Sequence, residues 1–190
     1  GQKLQFLQQT RYVVGGPDKI YVANRSVATE TRYYYDGKTL SIFSPRKGLY
    51  TQADYAGNID TLLRKAYEDY GVEFPLEDLF RWGTKSAMAE RPSEGFKVGD
   101  EIIGPWLTTH YAFRQPGADY QIWIDKGDKP VPRKMVITNT DDPAQPQYVA
   151  YMRWNFEPKI EANQFTFTPG PGASRIRFAD AAARAEAAAK

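Results

Sequence analysis

At residues 32–45 the chain reads RYYYDGKTLSIFSP, an Asp-Gly pair set between two segments in which polar and apolar residues alternate. Few sequence features constrain local folding more. Asp-Gly supplies the positive φ that a tight hairpin needs, and a period of two turns one side of each strand toward a core. Folding back about Asp36-Gly37 as a two-residue turn sets Tyr33 opposite Leu40 and Thr31 opposite Ile42. Tyr33, Tyr35, Leu40 and Ile42 then share an apolar face. Arg32, Tyr34, Thr39 and Ser41 share the other, wetter face, where the Tyr34 hydroxyl stays free.

The same pattern continues on both sides of this hairpin. KLQFLQQTRYVV and KIYVANRSVATETRYYY precede it, and GLYTQADY follows. Further on come AMAERP, FKVGDEIIGPW, LTTHYAFRQ, DYQIWIDKG, PRKMVITNT, QYVAYMRWNFEP and QFTFTP, each bounded by Gly, Pro, Asp or Asn. Between these segments there is no helix long enough for parallel crossovers, so the reading is antiparallel.

One strong helix interrupts them, NIDTLLRKAYEDYG. Asn58 is the N-cap, Asp60 sits in the first turn and Gly71 at the terminus. Ile59, Leu62, Leu63, Ala66, Tyr67 and Tyr70 form its apolar stripe. A shorter helix is predicted from Pro75, with Glu77 and Asp78 in its first turn and Leu76, Leu79, Phe80 and Trp82 as its apolar content. The expected fold is mainly β (α+β). It is one long antiparallel sheet over residues 1–178 with a helical insertion at about 58–82, followed by an Ala-rich helical tail at 179–190.

Several functions are disfavoured by the residues themselves. The 25 basic and 23 acidic residues are dispersed, without the concentrated Lys/Arg surface of a nucleic-acid binder. No apolar run approaches the ~20 residues that span a bilayer as a helix. Cysteine is absent, so thiolate catalysis and cysteine metal sites are excluded. The single histidine, His110, lies in a strand with no nucleophile or ligand set near it in sequence, and reads as a structural or surface residue. No nucleophile elbow, zinc-protease motif, P-loop or dinucleotide fingerprint occurs. The acidic pairs Asp100-Glu101 and Asp141-Asp142 read as exposed turns, not as a catalytic pair. The expectation is a protein that is not an enzyme and uses no cofactor or metal.

The aromatic content, 13 Tyr, 10 Phe and 4 Trp, exceeds what one face of a sheet and about one and a half helices would bury against each other. A curved sheet under an amphipathic lid leaves an apolar concavity, the kind of site that takes an acyl chain. Its candidate lining is Tyr33, Tyr35, Leu40, Ile42, Leu62, Leu63, Tyr67, Phe80, Trp123 and Trp154. Trp123 alternates with Ile122 and Ile124, so one of those two faces must point outward.

Three stretches carry a family resemblance: YYYDGKTLSIFSPRKGLY, IDTLLRKAYEDYGVEFPLEDLF and YQIWIDKGDKPVPRKMVI. Together they resemble a bacterial family of predicted periplasmic proteins of unassigned function, itself similar to the LolA/LolB lipoprotein carriers. The resemblance extends from Gln2 to Phe178. It implies an incomplete antiparallel barrel with helices on its concave side, and a periplasmic location. It also implies a signal peptide, a helix and a further strand before Gly1. Two functional expectations follow: a carrier of a lipid, acyl chain or lipoprotein, or a closed-core envelope protein that only contacts protein partners.

Overall fold

The computed structural model describes residues 3–81 and 92–178, except for the side chains of Asp78 and Arg81. The chain divides into two compact units, residues 1–82 with 158–190, and residues 83–157.

The first unit holds β1 (Gln9–Val14), β2 (Ile20–Arg25), β3 (Glu30–Tyr35), β4 (Thr39–Ser44) and β5 (Leu49–Asp54), then α1 (Ile59–Tyr70) and α2 (Asp78–Arg81). Strands β1 to β5 form an antiparallel meander. A two-residue strand, β11 (Ser174–Arg175), adds to it parallel to β5. The second unit holds β6 (Glu94–Ile103), β7 (Trp106–Gln115), β8 (Ala118–Asp125), β9 (Pro132–Asn139) and β10 (Gln147–Tyr151). These form a five-stranded antiparallel sheet in the order β10-β9-β8-β7-β6.

The fold is thus mainly β, as the alternation predicts, but it consists of two sheets instead of one, and neither closes into a barrel among the described residues. The expected meander stops at β5, whose first two residues pair with β11 through Ser174↔Leu49 and Arg175↔Tyr50, and β6 pairs with β7 in the other sheet. Two residues carry no readable periodicity, so the alternation could not announce β11.

The Asp36-Gly37 hairpin forms with a different register from the expected one. Tyr35 pairs with Leu40 and Tyr33 with Ile42, which leaves a four-residue loop. The Asp36 side chain sets that loop: its Oδ1 accepts from the Lys38 and Thr39 backbone N–H groups at 3.0 and 2.9 Å, while Gly37 takes φ +94°. A slip of two residues keeps every side chain on its expected face.

α1 begins and ends where the capping residues say. Asn58 Oδ1 accepts from the Thr61 N–H at 2.9 Å. Gly71 is left-handed, at φ 61°, and its N–H and that of Val72 bond back to Tyr67 and Ala66. Ile59, Leu62, Leu63 and Ala66 are buried against Ile20, Val22, Tyr35 and Leu40 of the sheet. Tyr67 departs from the expectation. It is 55% exposed, because the buried arc of α1 runs through Leu62, Leu63 and Ala66 and leaves residue 67 at its solvent margin. The second helix starts later than Pro75. Leu76 has φ 54°, which no α-helical residue can adopt, so residues 75–77 form a turn and helix begins at Asp78.

The outer face of this sheet is not the wet one expected. Tyr34 packs edge-on against Tyr21 at 5.0 Å. Phe167 lies over Tyr34, Phe43 and Tyr50 at 5.4, 5.0 and 5.2 Å. The QFTFTP segment that supplies Phe167 is therefore no strand: it crosses the meander as a covering segment, with Phe165 buried beside Gly15. The expected AMAERP strand (apart from Pro92), Trp82 and the Ala-rich tail lie outside the described residues.

Candidate functional site

The face of the six-stranded sheet beneath α1 is built in three successive rows across β1 to β5. The deepest row is Ile20, Tyr35, Leu40 and Ala53, with Val14 exposed at its β1 end, the middle one Tyr12, Val22, Tyr33, Ile42 and Thr51, and the outer one Thr10, Asn24, Thr31, Ser44 and Leu49. Polarity rises from row to row. The deepest row is almost wholly apolar and packs under α1, and the middle row mixes hydroxyl and hydrocarbon groups. The outer row is half-buried and largely polar, with Thr10 Oγ1 donating to Asn24 Oδ1 at 3.3 Å.

Seven of the ten residues expected to line a cavity meet in this layer. Tyr35, Leu40, Leu62 and Leu63 are fully buried in it, and Tyr33, Ile42 and Phe80 pack against it partly buried. Phe74 and Tyr12, which sequence reasoning did not single out, complete it through ring contacts with Tyr33 at 4.8 Å and Phe80 at 5.1 Å. Tyr12 also donates its hydroxyl to the Pro75 carbonyl.

The polar groups of the deepest row are satisfied. Tyr35 Oη donates to the carbonyls of Tyr55 and Gly57 at 2.9 and 2.7 Å, and Tyr55 Oη donates to Asp69 Oδ2 at 3.1 Å. Burial, then the Asp69 carboxylate beside it, pushes the Tyr55 hydroxyl well above the ordinary tyrosine range. The middle row is different. Thr51 is 8% exposed and its Oγ1 has no hydrogen-bond partner among the described residues. Burial raises the Tyr33 hydroxyl as well.

Tyr67, Trp123 and Trp154 do not join this layer. Tyr67 faces solvent, and the two tryptophans belong to the other unit. Trp123 is buried on one face of the five-stranded sheet, stacked on His110 at 4.0 Å between centroids, with Lys134 Nζ 4.3 Å from its ring. Its Nε1–H donates to Glu101 Oε2 at 3.0 Å. His110 Nδ1 pairs with Glu101 Oε1 at 2.8 Å and Nε2 with Gln121 Oε1 at 3.0 Å. The Trp123 N–H bond, and after it His110, holds the Glu101 carboxyl below the usual carboxylate range. Trp154 is half-exposed and donates to the Pro132 carbonyl at 2.6 Å.

Asp100 and Glu101 therefore do not form an exposed turn. They lie inside β6, because a bulge between Lys97 and Gly99 lets the strand run on to a turn at Gly104, φ 57°. Asp141 and Asp142 do sit in a hairpin end, where Asn139 Oδ1 accepts from both of their backbone N–H groups. His110 is a buried, doubly bonded member of a sheet-face network, with no hydroxyl on either ring nitrogen. No group of three His, Asp or Glu residues that could hold a metal occurs among the described residues.

The fold defines a class of protein: mainly β, in two sheets, one of them carrying the amphipathic helix α1, with no described helix long and apolar enough to cross a membrane. Within it, the chain belongs to the family described as "Predicted periplasmic protein (DUF2092)", which it matches over residues 1–179. Its compartment is accordingly the periplasm. Comparison with curated proteins returns no match.

Proposed function

We propose that this protein is a non-enzymatic periplasmic carrier of an acyl chain or similar apolar ligand, held between α1 and the six-stranded sheet. The observation that supports this is the convergence of seven predicted lining residues in one apolar layer under a single amphipathic helix. The half-barrel likeness to the LolA/LolB carriers belongs to the same proposal, by analogy.

For such a site to open, α1 must lift. Exposing Ile59, Leu62 and Leu63 costs about 1.5–3 kcal/mol for each, roughly 5–9 kcal/mol in all. A fourteen-carbon chain laid on the sheet in its place returns about 0.8 kcal/mol per methylene, roughly 11 kcal/mol. The two terms are of one size, so exchange of helix for ligand is energetically accessible. The outer stripe of α1, with Arg64 bound to Glu68 at 2.9 Å, stays in water in either state.

The test is titration of delipidated protein with Nile red, followed by displacement with fourteen-carbon amphiphiles. Saturable binding at micromolar probe is expected. It should be altered by Leu62→Glu on the buried stripe and left alone by Arg64→Ala on the wet one.

A second reading is favoured by the completeness of packing: Tyr35, Leu40 and Leu62 have no exposed surface. On it the layer is a closed core, and function lies in contacts with envelope proteins. Protein that binds neither Nile red nor any chain would leave this reading in place.

A further inference from the structure

We infer that the ligand is a neutral amphiphile, its uncharged hydrogen-bonding head seated on Tyr33 and Thr51 and its chain directed beneath α1. This rests on the carrier reading and says which ligands that site selects.

Thr51 is more than nine-tenths buried, and its Oγ1 bonds to nothing among the described residues. A buried hydroxyl without a partner destabilises the fold, so a native structure that keeps one has a use for it or a partner still to come. Tyr33 stands in the same row, with Ile42 between them. Strand spacing puts the two backbones about 9–10 Å apart. The Tyr33 ring rests on Phe74, and burial is the one cause that raises its hydroxyl. Each hydroxyl can both donate and accept, so together they suit a hydroxyl, ester or amide head.

The surroundings decide the charge. On the apolar side the row adjoins Tyr35 and Leu40, under α1. On the other side it adjoins Thr31 and Ser44, half-buried and polar. None of the residues in the three rows is charged. An anionic head would be desolvated there without a counter-charge, whereas a neutral one meets donors and acceptors. The gradient from hydrocarbon to hydroxyl to polar margin is that of a single-chain amphiphile lying along the strands.

The experiment displaces Nile red from delipidated protein at pH 8 with monomyristoylglycerol, tetradecanoate and tetradecane, each below its aggregation concentration. The glycerol ester should compete at a concentration about tenfold lower than the carboxylate, about 1.4 kcal/mol. Thr51→Val, which keeps the shape and deletes the hydroxyl, should remove most of that advantage while raising the unfolding temperature of the free protein. Tyr33→Phe should reduce it independently. Equal competition by ester and carboxylate, or an advantage that survives both substitutions, would overturn the head-group assignment and leave the carrier reading standing. If Nile red and all three compounds fail to bind, the carrier reading itself falls, and this inference with it.

Discussion

Leu63→Ala tests whether α1 is seated as described. The Leu63 side chain is buried to 1% exposure among Tyr35, Leu40, Leu62 and Ala66. Truncation removes three carbons, a transfer loss of roughly 2 kcal/mol, and leaves a cavity whose walls belong to a rigid sheet on one side. The expected total is about 2–5 kcal/mol, with the upper half favoured by Tyr35, whose doubly bonded hydroxyl prevents its ring from moving in to fill the space. Tyr67→Ala on the same helix is the control. At 55% exposure it should fall within about 0.5–1 kcal/mol. The assay is urea unfolding followed by far-UV circular dichroism, fitted with one shared m-value only where a single transition is observed, since two units can unfold separately. Leu63→Ala below about 1 kcal/mol, or Tyr67→Ala equal to it, would refute the orientation given to α1 and with it the layer on which the proposed function rests.

Two further outcomes concern the second unit. Lys126 and Lys97 hold the Asp100 carboxyl down to about 2, from an ordinary 3.8. A depressed folded-state value contributes stability that is complete above the unfolded value and is lost as pH falls from about 4 toward 2. Asp100→Asn should flatten that part of the stability-against-pH curve, measured by thermal melts, and above pH 5 should lower stability by an amount that does not change with pH. Gly95→Ala should destabilise by about 1–3 kcal/mol in urea titrations, because a Cβ there would sit 2.7 Å from the Phe113 ring, which itself stacks on Tyr120 at 5.0 Å. A neutral result would mean that the ring moves aside freely.

Much of this protein is local, and local structure was legible in its residues. Asn58, Gly71 and the stripe between them specify α1 with its ends, because caps and a 3.6-residue period act within one element. Asp36-Gly37 specifies a hairpin and the faces of its strands, although the exact pairing was decided by two hydrogen bonds to the Asp36 side chain. The WIDKG and PRK residues are similarly local. Asp125 Oδ1 accepts from the Gly127 N–H at 2.9 Å, and Asp125 Oδ2 takes two bonds from Arg133 across the β8–β9 hairpin.

What tertiary structure alone decided were the meetings of segments far apart in the chain. Ser174 and Arg175 pair in parallel with the start of β5, where one continuous antiparallel meander was expected, and no two-residue pattern could have signalled it. Phe167 arrives from more than a hundred residues away to cover Tyr34, so the middle tyrosine of the triplet is packed and not wet. Trp123 and His110 looked like a cavity wall and a bystander. Directly paired across β7 and β8, and both bonded to Glu101, they became one network. Thr51 is an ordinary strand threonine until the sheet, by burying it without a partner among the described residues, gives its hydroxyl a significance that a one-dimensional reading does not contain.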